Sequence, residues 1–273
     1  MGKKENHKKD FDFLIKSYIE NQDGNPITQY IIKNSNLPGK RGNLEMAEAF
    51  YESLLDLPIE KTNLIWSFLI GLTNISEKEA PKNTPEELLP FCGILGLTSL
   101  VICNKELLNE VLNTIRKASN DTRWRMREAV GMSLTKLINK YSEIIFPELE
   151  SWIIKNNWLE FRAVAAGLAE PHILRDKTHS EKALNILKKI FYEFINSKIT
   201  VKSSESFKIL KKGLGYCLSV IVQFNPVEGF KFMNKLATYD DKDIRWILKE
   251  NLKKARLTKN YPKEVAAINQ YLK

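Results

Sequence analysis

A basic and aromatic cluster, Arg123-Trp124-Arg125, contains the residue types that point most directly to chemistry. Guanidinium groups bind phosphates and indole rings stack on bases in the grooves of nucleic-acid-binding proteins. Trp158 opens a later helix at an equivalent place, so we expect the two tryptophans to lie near each other along one groove. The structural alternative is that both rings pack between repeats. We favour it, because large aromatic side chains mostly contribute to core burial.

Four cations, Arg127, Arg162, Lys211 and Arg245, occupy matching places in four later segments, 35, 49 and 34 residues apart. The residue before each cation and the third and seventh residues after it are apolar, with alanine counted among these. The fourth residue after each cation is small, except where Lys249 follows Arg245. Such a period is typical of stacked helical pairs, which bury in succession a face that no pair buries alone.

The cation series has two interpretations. It forms a basic ladder on a concave face, or each cation bonds a neighbouring turn carboxylate and the backbone. We favour the structural interpretation because buried charges need partners, and a charge-assisted hydrogen bond contributes roughly 1.5–3 kcal/mol. The sequence nominates nine candidate residues for binding a macromolecule: Arg123, Trp124, Arg125, Arg127, Trp158, Arg162, Lys211, Arg245 and Trp246.

Signals for catalysis, metals or cofactors are weak. The histidines are His7, His172 and His179. His172 and His179 flank a loop that contains Asp176, which makes a minor hypothesis for a metal or a general base. The cysteines are Cys92, Cys103 and Cys217, without a C-x-x-C pair. The sequence has no phosphate-binding loop, dinucleotide fingerprint or zinc-protease motif. We expect no cofactor and no metal, and the sequence favours a protein that is not an enzyme.

Composition favours a soluble, reduced, cytoplasmic monomer. The 273 residues are 43% hydrophobic and 27% charged, as in ordinary globular proteins. The longest apolar run, Phe91–Cys103, is shorter than the roughly 18 residues that span a bilayer. The formal charge of +9 indicates an acidic partner: nucleic acid, an anionic membrane surface or an acidic protein. The alternative is a general bias toward lysine with no role in binding.

The helical pattern predicts an all-α fold of about fourteen helices, arranged as an α–α superhelix (solenoid) of stacked antiparallel pairs. We expect residues 1–9 to be a disordered basic segment and residues 10–273 to be a single solenoid. Asp10 is the predicted cap of the first helix, and Ser180 of a later one. Thr84-Pro85-Glu86-Glu87 reads as a capping box. The helix that follows, roughly 85–102, is apolar nearly all round and should be buried.

Two segments, Asp121–Leu134 and Asp241–Leu252, resemble HEAT repeats, in which a turn aspartate and an arginine of the second helix recur. The pairs here are Asp121 with Arg127 and Asp241 with Arg245. The clear resemblance covers residues 105–260, and earlier repeats are inferred mainly from continuity. The sequence departs from the family pattern at Lys211, which replaces arginine, and at Arg162, which lacks a turn aspartate. The resemblance implies a right-handed α-solenoid with a concave binding face.

A related set, the HEAT-like alkylpurine DNA glycosylases, is also basic and of similar length. Their Trp-Asp pair does not occur in this sequence. Two hypotheses follow. The first is a non-enzymatic HEAT-like scaffold that binds a macromolecule, with protein favoured, on its concave face. The alternative is a DNA-binding protein or glycosylase of the HEAT-like type that uses a basic, tryptophan-containing groove.

Overall fold

The computed structural model of the chain describes residues 2–154 and 157–272, and all regular structure within them is helical, which confirms the all-α prediction. The helices are α1 (Lys3–Asn21), α2 (Asn25–Lys33), α3 (Leu44–Leu55), α4 (Thr62–Thr73), α5 (Leu88–Cys103), α6 (Leu108–Ala118), α7 (Trp124–Trp152), α8 (Trp158–Leu168), α9 (Pro171–Leu174), α10 (Lys177–Ile195), α11 (Glu205–Phe224), α12 (Pro226–Ala237), α13 (Lys242–Leu252), α14 (Ala255–Thr258) and α15 (Pro262–Tyr271). Three short 3-10 turns precede α4, α5 and α6.

The chain divides into two compact units, Met1–Leu137 (unit 1) and Ile138–Lys273 (unit 2), with the boundary inside α7. Close to that boundary α7 leaves helical geometry at Tyr141, where φ is −133° and ψ is 42°. The second half of α7 also contains Pro147, which lacks the amide hydrogen needed for a helical bond. The continuous array expected across residues 10–273 stays a prediction.

Unit 1 contains a layer of three neighbouring helices, α1, α3 and α5. Hydrogen bonds between these neighbours join residues 48 positions apart, at Lys4–Glu52, Lys8–Asp56 and Tyr51–Ser99. The constant separation means that the helices run in the same direction, as equivalent helices of successive repeats do. This regular separation of 48 residues supports helical repeats in the first part of the chain, which the sequence analysis inferred mainly from continuity.

Almost all side chains of helix α5 are buried, as predicted, and the helix packs against both α3 and α4 in unit 1. Glycines let α4 lie directly against it: a Cβ at Gly93 would lie 2.6 Å from the Thr73 amide nitrogen. A Cβ at Gly96 would lie 2.6 Å from Leu69. The stretch Pro85–Cys103 is long and apolar enough to cross a membrane by length and composition, and 83% of it is buried inside the protein, as in a core helix.

Unit 2 has two layers of parallel helices. One contains α8, α11 and α13, and the other contains the second half of α7, α10 and α12. Between α11 and α13, the contacting residues are 32 positions apart, at Lys211–Asp243 and Ser219–Asn251. Between α7 and α10 they are 39 positions apart, at Glu143–Lys182 and Glu150–Lys189. Successive helices are antiparallel, since the end of α10 stacks on the start of α11 through Phe194 and Phe207. These regular offsets are the basis for describing unit 2 as a helical repeat array.

Polar side chains begin many of the helices by accepting first-turn amide hydrogens, which would otherwise lack partners. Such caps are present at Asn43, Asn157, Ser204 and Asp241. Two expected starts are wrong. Helix α1 begins at Lys3, before Asp10, so residues 3–9 are helical where disorder was expected. Helix α10 is capped by Asp176, and Ser180 lies inside its first turn.

The predicted capping box at Thr84 also forms differently. The Thr84 hydroxyl donates to the Pro81 carbonyl and caps no helix amide. The Glu87 carboxylate accepts from the Asn83 amide at 2.7 Å and from the Arg125 guanidinium at 2.7 Å. A buried carboxylate is better stabilised by a guanidinium than by one more amide. Glu87 therefore pairs with Arg125, which is distant in the sequence, and the capping box predicted from the local pattern does not form.

Candidate functional site

Arg123 lies in the turn before α7, and its side chain is buried. Its guanidinium group donates to the Asp121 carboxylate at 2.7 and 3.0 Å. It also donates to the carbonyls of Ile75, at 3.0 Å, and Ala80, at 3.2 Å. These bonds tie the loop after α4 to the start of α7. The arginine therefore serves the fold of unit 1 and is not accessible to a macromolecule.

Arg125 forms a fully buried ion pair with Glu87: the two residues are 2% and 0% exposed, and the charged atoms lie 2.7 Å apart. The same guanidinium donates to the Gly39 carbonyl at 3.0 Å. It also lies 4.5 Å from the ring centroid of Trp124, a residue that is 44% exposed. Trp124 is thus a surface ring that covers a buried cation.

Arg127, the first cation of the repeated series, is also buried. It donates to the carbonyls of Asp121 and Thr122 at 2.7 and 2.9 Å, in the turn before its own helix. This is the backbone contact that the structural interpretation expects. Of the four candidates in unit 1, Trp124 is exposed, and the three arginines are buried and hydrogen-bonded within the unit.

Trp158 and Arg162 lie on α8 in unit 2. The Trp158 ring is buried and makes edge contacts with Phe161 and Phe207, with ring centroids 5.3 Å apart in each case. It therefore packs between α8 and α11. Arg162 is half-buried, and its stem lies over Gly213 of α11, where a Cβ would approach the arginine Cγ to 3.3 Å. Trp158 and Phe207 are 49 residues apart, the same separation as Arg162 and Lys211 in the sequence period.

Lys211 and Trp246 meet between α11 and α13. The lysine ammonium lies 2.9 Å from the Asp243 carboxylate and 5.2 Å from the ring centroid of Trp246. The indole rests on Gly215, where a Cβ would lie 2.9 Å from its ring, and Trp246 is 37% exposed. The small residue that the repeat pattern contains at this place is therefore needed for the close approach of α13.

Arg245 bonds the turn before its own helix, as Arg127 does. Its guanidinium lies 3.1 Å from the Asp240 carboxylate, and its side chain is 43% exposed. It differs from Arg127 in that the partner carboxylate is itself almost fully exposed. An ion pair in that setting contributes little to stability, so Arg245 stays a candidate binding residue.

The sequence analysis did not nominate Tyr216, which is 47% exposed on α11. The Arg256 guanidinium lies 4.7 Å from its ring centroid and donates to its hydroxyl at 3.1 Å, and the Lys254 ammonium lies 5.8 Å from the ring. Lys208 and Lys212 precede Tyr216 at intervals of four and are exposed, so the three share one helical face. That spacing is a signal that the sequence already contained.

These side chains form one surface in unit 2, which we term the cationic aromatic face: Lys208, Lys211, Lys212, Tyr216, Trp246, Lys254 and Arg256. Two acids lie at this face: Asp243 is 8% exposed and paired with Lys211. Glu250, whose Cβ would lie 3.4 Å from a Cβ at Gly215, is paired with Lys253. Lys208 and Lys212 form no ion pair with any residue that the structure describes. The face therefore carries an excess of positive charge.

The histidine loop suggested by the sequence has another explanation. Asp176 accepts the His179 backbone amide at 2.9 Å as the cap of α10, and this bond helps to lower the pKa of its carboxyl group. The His179 ring lies against Phe146, with ring centroids 5.4 Å apart, and His172 is exposed. Within residues 2–154 and 157–272, no three side chains of metal-binding type form a group. Burial raises the pKa of the Cys217 thiol to about 11.

Comparison with known proteins gives only distant likenesses. No protein-family model and no curated protein matches the chain. A designed armadillo repeat protein matches with 11% identity, 83% of this chain and 98% of that chain covered, and a TM-score of 0.31. An engineered protein of known crystal structure matches with 12% identity, coverage of 88% and 97%, and a TM-score of 0.30. At such scores the repeat architecture rests on the helix packing described above.

Proposed function

We propose that the chain is a HEAT-like repeat scaffold, without catalytic activity of its own, that binds nucleic acid through the cationic aromatic face. The observation that carries this proposal is the excess positive charge around Tyr216, where Lys208 and Lys212 have no ion-pair partner among the described residues. A polyanion gains affinity there by releasing its condensed counterions.

The chemistry of the face favours phosphate contacts over base recognition. Lysine presents a compact charge that neutralises phosphates without the planar geometry that reads base edges. The two rings already have intramolecular neighbours: Trp246 rests on Gly215, and Arg256 lies over Tyr216. We therefore expect binding that depends weakly on sequence and strongly on salt.

The residues predicted for a glycosylase groove do not support excision chemistry. Arg125 and Trp158 are buried inside their own units. A carboxylate that attacks or stabilises a flipped nucleotide must reach it, whereas Asp243 of the face is buried and paired with Lys211. The proposal is therefore binding alone.

The sequence favoured a protein partner, and an acidic protein would be attracted by the same charge. The test uses fluorescence anisotropy of a short labelled DNA duplex over a salt series, with labelled poly-glutamate as the acidic polypeptide. We expect the duplex to bind at low salt, with a slope of log K against log salt of about −0.9 per phosphate contact. Binding of poly-glutamate without binding of the duplex would favour the protein partner.

The paired variants locate the interaction. The double variant Lys208→Ala, Lys212→Ala should make the slope of log K against log salt shallower, by the amount that about two phosphate contacts contribute. Lys177→Ala with Lys198→Ala removes the same charge from exposed positions around α10 and should bind like the parent protein. Equal losses in both pairs would mean that only net charge matters. Absence of duplex binding at low salt would refute the proposal.

A further inference from the structure

A groove of about 370 Å³ runs between α10 and α12 in unit 2, in the helix layer that does not contain the cationic aromatic face. Phe191 and Leu236 form its buried apolar floor, and Phe232 lies across the floor with its ring 5.4 Å from Phe191. The volume is within the range of recognised ligand pockets, roughly 300–1,000 Å³. We term this surface the α10–α12 groove.

The rim of the α10–α12 groove carries unbalanced positive charge. Glu228 is shared between Lys188, at 3.8 Å, and Lys231, at 3.7 Å, both near the outer limit for an ion pair. Lys235 lines the same groove and pairs with no residue that the structure describes. Three lysines therefore face one carboxylate above an apolar floor.

An exposed apolar shelf continues the groove toward the end of α7. Tyr192 lines both the α10–α12 groove and the neighbouring depression beside Ile154. Tyr192 is 65% exposed and Ile154 is 77% exposed. Adjacent exposed apolar side chains rimmed by polar ones are typical of interaction sites.

We propose that the α10–α12 groove binds a short amphipathic helix of a partner protein, with apolar side chains one turn apart and acidic residues on its flanks. The groove follows α10 from Lys188 to Ile195, about 10 Å at 1.5 Å per residue, so it accommodates two anchors at positions i and i+4. The acidic flanks complement the lysine rim and steer association. Self-association is disfavoured because each chain has a formal charge of +9.

Two designed probes test this proposal on the full chain. One is a labelled helical peptide with leucines at i and i+4 in a background of glutamate and alanine, and the other replaces each glutamate by lysine. We expect the glutamate peptide to bind at least tenfold more tightly than its lysine counterpart in fluorescence anisotropy. Equal affinities, or no binding of either peptide, would overturn the proposal.

Variants assign the binding to the groove. Lys235→Glu should weaken the glutamate peptide about tenfold, whereas Lys198→Glu, which makes the same charge change at an exposed residue after α10, should not. Tyr192→Ser tests the apolar shelf at an exposed position where folding is preserved. Unchanged affinity in both Lys235→Glu and Tyr192→Ser would overturn the proposal, as would a dimer in sedimentation that either substitution dissociates. Duplex DNA binding serves as a separate readout and should persist in Tyr192→Ser.

Discussion

Two turns, one in each unit, contain the same hydrogen bond from a backbone amide to an aspartate, but the residue that supplies the amide has opposite charge in the two. Asp121 accepts the amide of Arg123 at 2.7 Å, and Asp241 accepts the amide of Asp243 at 2.8 Å, two residues further on in both cases. In unit 1 that second residue is a cation, which folds back onto the aspartate and nearby carbonyls. In unit 2 it is an acid, which bonds Lys211 of the neighbouring helix. The charge of the residue two positions after the aspartate thus determines the contact: Arg123 is itself buried against Asp121, whereas Asp243 pairs with Lys211 of another helix.

The type of cation, arginine or lysine, also affects how deeply the side chain is buried. A guanidinium group has five donors in a fixed plane and can satisfy several carbonyls at once, so Arg123 is almost fully buried. An ammonium group is strongly hydrated and loses more on burial. The lysines of unit 2 accordingly stay partly or fully exposed, as Lys211 and Lys212 do. Arginines strengthen the turn in unit 1, and lysines leave positive charge exposed in unit 2.

Breaking the buried pair of unit 1 should have the largest effect. Arg125→Ala leaves the Glu87 carboxylate buried without its counter-ion, which should lower the free energy of unfolding by about 3–5 kcal/mol. Urea denaturation measures the change. The double variant Arg125→Met, Glu87→Leu should recover most of the loss, since it leaves no buried charge. A single variant as stable as the parent would show that the pair contributes little.

The two turns can be compared directly with matched arginine substitutions. Arg123→Ala removes bonds to buried carbonyls and should cost about 1–3 kcal/mol. Arg245→Ala removes a partly exposed pair with Asp240 and should cost less than about 1 kcal/mol. Thermal unfolding of both variants measures the difference. Equal losses would contradict the distinction between a structural and a surface arginine.

The cap of α13 should make stability depend on pH. Burial acts to raise the pKa of Asp241, but hydrogen bonds from Lys202 and from the amides of Ile244 and Asp243 outweigh it, so the net pKa is lowered from 3.8. A lowered carboxyl pKa stabilises the fold above the unfolded value, and that contribution is lost as pH falls through the folded pKa.

Asp241→Asn is the variant that tests this dependence. It should cost about 0.5–1 kcal/mol near neutral pH, because the amide oxygen keeps the cap but loses the charge. The difference from the parent protein should shrink as the pH falls below 3.8. Melting temperatures of the two proteins over a pH series measure it. A difference that stays constant with pH would contradict the role of the charge.

The smallest effect is expected at the exposed ring of unit 1. Trp124→Ala removes a half-exposed side chain and its contact with Arg125, for a cost of about 0.5–1 kcal/mol. Trp158→Ala is the matched buried tryptophan and should cost about 3–5 kcal/mol. Differential scanning fluorimetry of both variants distinguishes the two. If Trp124→Ala were as costly as Trp158→Ala, the ring would be structural.

Local features of the sequence were sufficient for much of the fold. Helix caps such as Asn43 and Asp241 act within their own first turn, so a short segment determines them. The small residue four positions after Lys211 belongs to the repeat pattern, and as Gly215 it allows the close contact with Trp246. The repeat of unit 1 was harder to see, because equivalent contacts join unlike residues, a serine with a carbonyl in one case and a lysine with an aspartate in another.

The candidate site depended on partners that lie far away in the sequence. Arg125 can be buried because its guanidinium donates to the Glu87 carboxylate and the Gly39 carbonyl, which lie 38 and 86 residues earlier in the chain. Tyr216 belongs to a basic surface because Arg256 reaches it from 40 residues later. Helical periodicity describes one helix at a time and contains no information about such pairs, so residue type alone could not separate exposed cations from buried ones.

Asn251 fixes the register of α13 against α11. Its buried amide donates to the carbonyls of Leu214 and Ile247 and accepts from the Ser219 amide at 2.7 Å. A slide of one helical turn would leave this side chain among apolar neighbours, so the register of the two helices also holds Lys211 beside Trp246. A ligand that fits the spacing of Lys211 and Trp246 would therefore bind without the free-energy cost of moving the two helices. A ligand that does not fit could not be accommodated by sliding one helix along the other.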